Sequence, residues 1–339
     1  MLMRANRTSA ARNQRGVAVL LALFIVAIAT LVVTDLFWRQ FVLFRTIDNQ
    51  QKSSQARLLL HGAQDWARSI LQDQTHPGFD ALSDPWAQPL AQTRLDQLGE
   101  TAPIASLATL EGQITDAQAR FNLRNLLDST GAINPVQLAI LDKLATLLAA
   151  PEGTAQLIAS YVAQAYAGAA PAAAAAASAA AAVPGAPVAA LTVPLTSGAR
   201  PIPPVFPEDL AAIPGIDPAA AQTLAQFVIL LDQSNTPVNF NTAGPELMAA
   251  AIPELTMSDA NTLAAERDRA YFISVGDIQN RLQGRGGPFP TVGISTNSQY
   301  FIVDGTIRIE NASTRQRALV RRYGTGAQSS VQVLWEREG

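Results

Sequence analysis

Residues 17–34, VAVLLALFIVAIATLVVT, run for eighteen positions without a charge. As a helix this segment is ~27 Å long at ~1.5 Å per residue, close to the hydrocarbon thickness of a bilayer. Arg4, Arg7, Arg12 and Arg15 precede it with no acid among them, and Asp35 is the first charge after it. The positive-inside rule then sets the N-terminus in the cytoplasm and the bulk beyond the inner membrane, in the periplasm. A cleaved secretory signal would have a shorter apolar region, about 7–15 residues, ending in a small-x-small site. Here the run continues into an amphipathic stretch, in which Leu36, Phe37, Trp38, Phe41, Val42 and Phe44 are interrupted by Arg39, Gln40 and Arg45.

The rest of the chain is acidic. The net charge is −3 over 339 residues even with the four leader arginines counted. Such a body is a poor partner for nucleic acid, since phosphate binding needs clustered cations. The absence of cysteine excludes disulfides, thiol catalysis and zinc–thiolate sites.

Apolar residues Ala56, Leu59, Leu60, Ala63, Ala67, Ile70 and Leu71 recur at helical spacing, and no proline occurs within 17–76. Residues 17–75 are therefore expected to form one long helix, half in the membrane and half on a domain, stopped by Pro77-Gly78. Turn-forming residues fill 76–89. Residues 107–123 read as strand, turn, strand. Asn134-Pro135 marks a helix start, with helices expected over about 135–149 and 153–167. Residues 168–205 form an Ala/Pro-rich loop. Two helix-hairpin-helix-like units follow, at 206–231 and 238–282, with helix starts at Asp217-Pro218 and at Ser258 and Asp259. The tail is β: 300–310 with Asp304-Gly305 as a turn or bulge, then 315–323 and 329–338 joined by a hairpin with Gly324 and Gly326.

The junction Arg15-Gly16-Val17, a basic leader ending in glycine against an apolar helix, resembles the cleavage site of type IV prepilins and pseudopilins. The resemblance implies cleavage by a prepilin peptidase between Gly16 and Val17, with methylation of the new terminus. Most relatives carry glutamate at the fifth mature position, where this chain has Leu21. In the resembled fibres that carboxylate neutralises the terminal amine of the subunit ahead. An apolar Leu21 marks a subunit with none ahead of it, at a tip position.

Further segments carry a closer likeness: FNLRNLLD (121–128), VNFNTAGPEL (238–247), SQYFIVDGTIRIE (298–310) and VQVLWERE (331–338). In order and spacing the chain resembles the general secretion pathway protein K family, the large minor pseudopilins of type II secretion systems. The resemblance implies an α+β fold, with the long transmembrane helix packed on a pilin-like α/β domain that carries a large inserted all-helical (SAM-like, helix-hairpin-helix-like) domain. The domains would be a leader at 1–16, the helix at 17–75, the α/β domain at 76–127 and 290–339, and the insertion at 128–289. It also implies minor pseudopilins I and J, the prepilin peptidase and the inner-membrane assembly platform as partners. The function implied is pseudopilus assembly for export of folded proteins across the outer membrane. Some relatives bind calcium through an acidic loop. The corresponding stretch here has no acid after Tyr166 until Glu208 and Asp209, so no ligands are carried over and no cofactor is expected.

The alternative is a membrane-anchored periplasmic DNA-binding protein using its helix-hairpin-helix units. Pro214-Gly215-Ile216 suits a phosphate, but Pro253-Glu254-Leu255 places glutamate where glycine is needed. Catalysis has little to work with. His61 reads as a surface or packing residue, His76 as a partner of the last helix carbonyls, and Asp80, Asp84 and Asp304 as turn and cap residues.

Overall fold

The computed structural model describes residues 11–74, 76, 78–99, 103–166, 201–282, 284–290, 292–310, 312–324 and 329–339. The start of the leader, most of the Ala/Pro-rich loop, and Gly326 with the rest of the final hairpin connection (325–328) lie outside them.

Helix α1 spans Ala11–Gln72 without a break, so it begins within the leader and stops slightly before the expected end. Its two halves differ. Side chains from Val17 to Phe44 are exposed all round. From Ala56 onward one face is buried, with Leu60 and Leu71 at 3% and 0% exposure. Each fully buried leucine stabilises the packing by roughly 1.5–3 kcal/mol. Ion pairs fasten the edges of this contact, Lys52 to Glu310 at 2.6 Å and Arg57 to Glu338 at 3.0 Å.

Beneath α1 lies a five-stranded antiparallel sheet. Its strands are β1 (Leu90–Arg94), β2 (Ala108–Asp116), β7 (Tyr300–Ile309), β8 (Ala312–Tyr323) and β9 (Ser330–Glu338), in that spatial order. Early and late segments of the chain therefore share one sheet, through nine paired positions from Ala108↔Ile309 to Asp116↔Phe301.

The strand, turn, strand reading of 107–123 holds: β2 is followed by a 3₁₀ turn at Ala117–Ala119 and a short strand at Phe121–Asn122. The turn or bulge expected at Asp304-Gly305 does not form, and that pair lies mid-strand in β7, with Gly305 facing Gly112 across the ladder. A Cβ on Gly305 would meet Leu60 Cδ2 at 3.3 Å. Gly305 gives α1 room to approach the sheet, a use of strand glycine that mimics a turn signal in sequence. The reversal comes later, where Glu310 adopts φ 50° between β7 and β8.

Residues 117–299 lie between the two central strands and build a second, larger core. Its helices are α2 (Pro135–Leu147), α3 (Thr154–Tyr166), α4 (Pro218–Leu224), α5 (Pro245–Ala251), α6 (Met257–Arg269) and α7 (Val275–Leu282). Leu141, Ile158, Leu210, Phe240 and Leu263 are all at 0% exposure within it. Caps follow the sequence closely. Asn134 Oδ1 accepts from the Val136 and Gln137 amides at 3.0 and 3.4 Å, and Asp217 accepts from Ala220 at 2.9 Å. One cap moves: α6 starts at Thr256, whose hydroxyl takes the Asp259 amide at 3.2 Å, and not at Ser258 or Asp259. Two short parallel ladders complete this region, β3 (Phe121–Asn122) with β4 (Val228–Ile229) and β5 (Val238–Asn239) with β6 (Ile294–Ser295).

Candidate functional site

Gly16, Val17 and Leu21 all fall within α1. Val17 and Leu21 are a helical turn apart on one face, exposed at 66% and 60%. The span around them is 0% buried, with a mean hydropathy of 3.0. Phe37, Trp38, Phe41 and Phe44 continue the exposed apolar surface beyond the uncharged run, with Arg45 over the Phe41 ring at 5.3 Å. Asp35, the first acid, is held by Arg39 one turn later at 2.8 Å.

The second concentration of specific chemistry is a buried polar seam where the helical core meets the sheet. Many of its residues come from the three motifs FNLRNLLD, VNFNTAGPEL and SQYFIVDG. Asn122 and Asn125 clamp the loop before β5. Asn122 Nδ2 donates to the Gln233 carbonyl at 2.7 Å, and Asn125 both gives to the Thr236 carbonyl at 2.7 Å and takes its amide at 3.0 Å. Asn241 makes the same two-way bond with Phe272, at 2.9 and 2.8 Å. Gln118 Oε1 accepts the Gln299 amide at 2.6 Å while its Nε2 donates to the Pro237 carbonyl at 2.8 Å. These asparagines act as backbone substitutes, satisfying strand and loop groups that no ladder reaches. The signal visible in the sequence is asparagine interrupting an apolar run.

At the centre sit two carboxylates. Asp116 ends β2. Its Oδ2 accepts from Thr242 Oγ1 at 2.5 Å, Ser298 Oγ at 2.6 Å and Asn239 Nδ2 at 2.9 Å, and its Oδ1 from the Gln118 amide at 2.7 Å. Burial pushes its pKa up to about 6, against the pull of the Ser298 and Thr242 hydroxyls. Asp80 accepts the Ser298 amide at 2.8 Å and pairs with Arg322, itself buried. Burial also raises the Asp80 pKa, with Arg322 opposing.

Of the three residues read as turn or cap positions, Asp80 and Asp304 differ in role. Asp80 is half of a buried ion pair. Asp304 sits mid-strand, taking Arg317 Nε at 2.9 Å and Arg315 Nη2 at 3.1 Å. Asp84 does hold its own turn, through the Ala81 amide at 2.9 Å, but it also meets His76 Nδ1 at 3.0 Å. His76 thus bonds a carboxylate and stacks on Phe79, not on helix carbonyls. His61 is exposed on α1. Among the described residues no group of three or more His, Asp or Glu is disposed to hold a metal.

The hairpins bear on nucleic-acid binding. Gly215 has φ 87°, as a hairpin glycine requires. At the second hairpin Glu254 takes the left-handed conformation, φ 58°, and the apex is covered from within: the Gly287 amide donates to the Pro253 carbonyl at 2.6 Å. A Cβ on Gly286 or Gly287 would lie 3.2 Å from that carbonyl, so the covering segment packs tightly on the hairpin. The first unit also opens with a 3₁₀ helix, Pro207–Ala212, in place of an α-helix.

Two family models match the chain, both described as type II secretion system protein K, over residues 119–233 and 238–297. Together they cover more than half of it. The type II secretion system protein K of Pseudomonas aeruginosa is 25% identical over 334 residues, covering 95% of this chain and 92% of its own. That of Pectobacterium carotovorum subsp. carotovorum is 25% identical over 343 residues, covering 96% and 97%. In three dimensions the chain resembles one from the crystal structure of the GspK–GspI–GspJ complex of enterotoxigenic Escherichia coli type 2 secretion. The TM-score is 0.62 at 18% identity, over 86% of this chain and 98% of that one.

Proposed function

The chain belongs to the type II secretion system protein K family, and from that premise we propose that it is the minor pseudopilin at the tip of the periplasmic pseudopilus. The observation that carries the reading is the continuity of α1. The apolar half that suits a bilayer and the half that packs on the sheet are one unbroken helix, Ala11–Gln72. Any force on the membrane segment reaches the folded body through that helix and its buried leucines. The exposed apolar surface from Val17 to Phe44 supports lateral packing against lipid first and other helices later.

In this reading residues 1–16 are a leader removed by the prepilin peptidase between Gly16 and Val17. Leu21 offers no carboxylate to a subunit ahead, which suits a terminal position. The sheet unit, 76–127 and 290–339, carries the helical unit 128–289 as an insertion, and its bulk caps the fibre. The N-terminus is cytoplasmic and the body periplasmic. Minor pseudopilins I and J are the direct partners, a reading supported by the similar Escherichia coli chain, which is held in a complex with GspI and GspJ. The inner-membrane assembly platform is the site of incorporation. The role is assembly, without catalysis and without a cofactor.

Mass spectrometry of the protein from cells with an active peptidase tests the first step: the N-terminus should be Val17, N-methylated. An intact Met1 there overturns it. Co-purification of the full chain with minor pseudopilins I and J tests the second, and a monomer at micromolar concentration with both present would sink it. The DNA-binding alternative predicts tight, steeply salt-dependent binding. The covered Glu254 hairpin argues against it.

A further inference from the structure

Asp116 is unusual among the acids of this protein. It is buried to 5% exposure, and all four hydrogen bonds it receives come from neutral donors. Among the described residues it makes no ion pair. Its donors come from both sides of one joint: Gln118 and Ser298 belong to segments that enter and leave the sheet, while Asn239 and Thr242 belong to the helical core. The carboxylate is thus the shared acceptor through which the two halves are tied.

The charged groups around it do not neutralise it. Asp80 reaches the same serine from the other side, adding negative charge, and the Arg322 beside it is taken up by Asp80 itself. Asp84 lies next to Asp80 and holds His76. Arg267 enters from α6 but bonds the Ala243 carbonyl at 2.6 Å and Asp268 at 3.0 Å. Arg120 interacts with Asp116 through space without contact, and it interacts with Asp304 and Glu208 as well. An isolated buried anion of this kind favours neutralisation by a proton over remaining charged.

The surroundings also accommodate that proton. A proton on Oδ2 can be donated to Thr242 Oγ1. The Thr242 hydroxyl then turns to the Asn239 carbonyl, already 3.2 Å away. One hydroxyl rotation converts an acceptor site into a donor site without moving the backbone.

We propose that Asp116 is a proton-binding site at the joint between sheet and helical core, and that the joint is held more tightly when the proton is bound. The sign follows from linkage. When the joint opens, Asp116 meets water and returns to an ordinary carboxylate pKa near ~4. Its closed-state pKa is higher, about 6. Between these values the closed state holds the proton and the open state does not, so closure weakens as pH rises through this window. Above it the full penalty of a buried anion remains; below it the penalty vanishes. Two pKa units correspond to about a hundredfold change in the opening equilibrium. The ligand is the hydrogen ion of the periplasm, whose concentration follows the medium.

The test is amide hydrogen exchange of the full chain in detergent micelles across a pH series from about 3.5 to 7.5, corrected for intrinsic rates. Segments 239–243 and 298–301 should lose up to about a hundredfold of protection as pH rises from the ordinary carboxylate value, ~4, through about 6, and little more above it. Segment 257–269 in α6 serves as the control and should not follow. Asp116→Asn should flatten the profile. Thr242→Val, which removes one donor to the anion, should move the midpoint upward. A pH-independent joint in the wild type overturns the proposal, as does a midpoint unmoved by Thr242→Val. Should Asp116→Asn fail to fold, isotope-edited infrared spectroscopy of the wild type decides. A non-aqueous protonated aspartic acid must be present at pH 5, be lost by pH 7.5, and shift with Thr242→Val; its absence at pH 5 overturns the proposal.

Discussion

Arg322 closes on Asp80 with Nη2 2.8 and 2.6 Å from the two carboxylate oxygens, and their side chains keep only 3% and 4% exposure. The same Nη2 donates to the Ser298 carbonyl at 2.7 Å, and the guanidinium lies over the Phe301 ring at 5.0 Å. The loop after α1, the end of β8 and the entry to β7 therefore meet at one cation.

Removing that cation leaves a buried carboxylate with no counter-charge in contact, held only by the Ser298 amide. Arg322→Met should destabilise the fold by about 3–5 kcal/mol, whereas Asp80→Leu with Arg322→Met should recover most of the loss. Urea unfolding midpoints of the single and double variants measure both. Equal instability in all of them would show that packing, and not charge pairing, sets the effect.

Crowding under α1 is a separate lever. Gly305→Val puts atoms where Leu60 already sits, since even a Cβ would lie 3.3 Å from Leu60 Cδ2. The expected cost is about 1–3 kcal/mol by overpacking, relieved in part by adding Leu60→Ala. A thermal unfolding series with that double variant distinguishes crowding from loss of glycine as such.

The asparagine clamps can be weighed individually. Asn125→Ala strips partners from both the amide and the carbonyl of Thr236. Each buried group left unpaired costs about 1–3 kcal/mol. Thr223→Ala, at an exposed site on α4, should stay within about 0.5 kcal/mol and serves as the reference when both are unfolded in urea.

At the membrane end, Leu21→Glu tests the tip reading. A carboxylate inside the span carries an insertion cost of up to ~2.5–3.5 kcal/mol unless it finds a partner. The variant should accumulate less in the membrane fraction, and under the proposed leader processing its cut after Gly16 should be unchanged. Accumulation equal to the wild type would indicate that a neighbouring amine accepts the carboxylate, and so that a subunit does lie ahead.

Much of this is legible in the chain itself. The long helix, the Asn134 and Asp217 caps and the late strands follow from periodicity and capping chemistry. Where sequence misleads, one residue type has two uses. Asp304-Gly305 carries the signature of a turn, yet Gly305 serves close approach of α1, and only the partner surface distinguishes the two. Asp80 reads as a turn residue because its partner, Arg322, lies far along the chain. Likewise, β1 lies at a sheet edge with only one buried-side neighbour, and its LAQTR sequence has no strong alternation. The buried seam is visible in sequence only as a set of family-like motifs. Its meaning depends on Asn122, Asn239 and Ser298 converging from three distant segments.

The pairing of β2 with β7 also has a consequence in time. These strands are neighbours along nine positions, yet residues 117–299 lie between them. Closing so long a loop in an unstructured chain is entropically unfavourable and makes non-local pairing slow. The helical core shortens that search, because once folded it presents its entry and exit, Asp116 and Ser298, within hydrogen-bonding distance of each other. The order of events expected is α1 first, in the membrane during synthesis; then the helical core; and last the sheet, zipped shut from the seam outward. Until that final step the buried face of α1 has nothing to rest on.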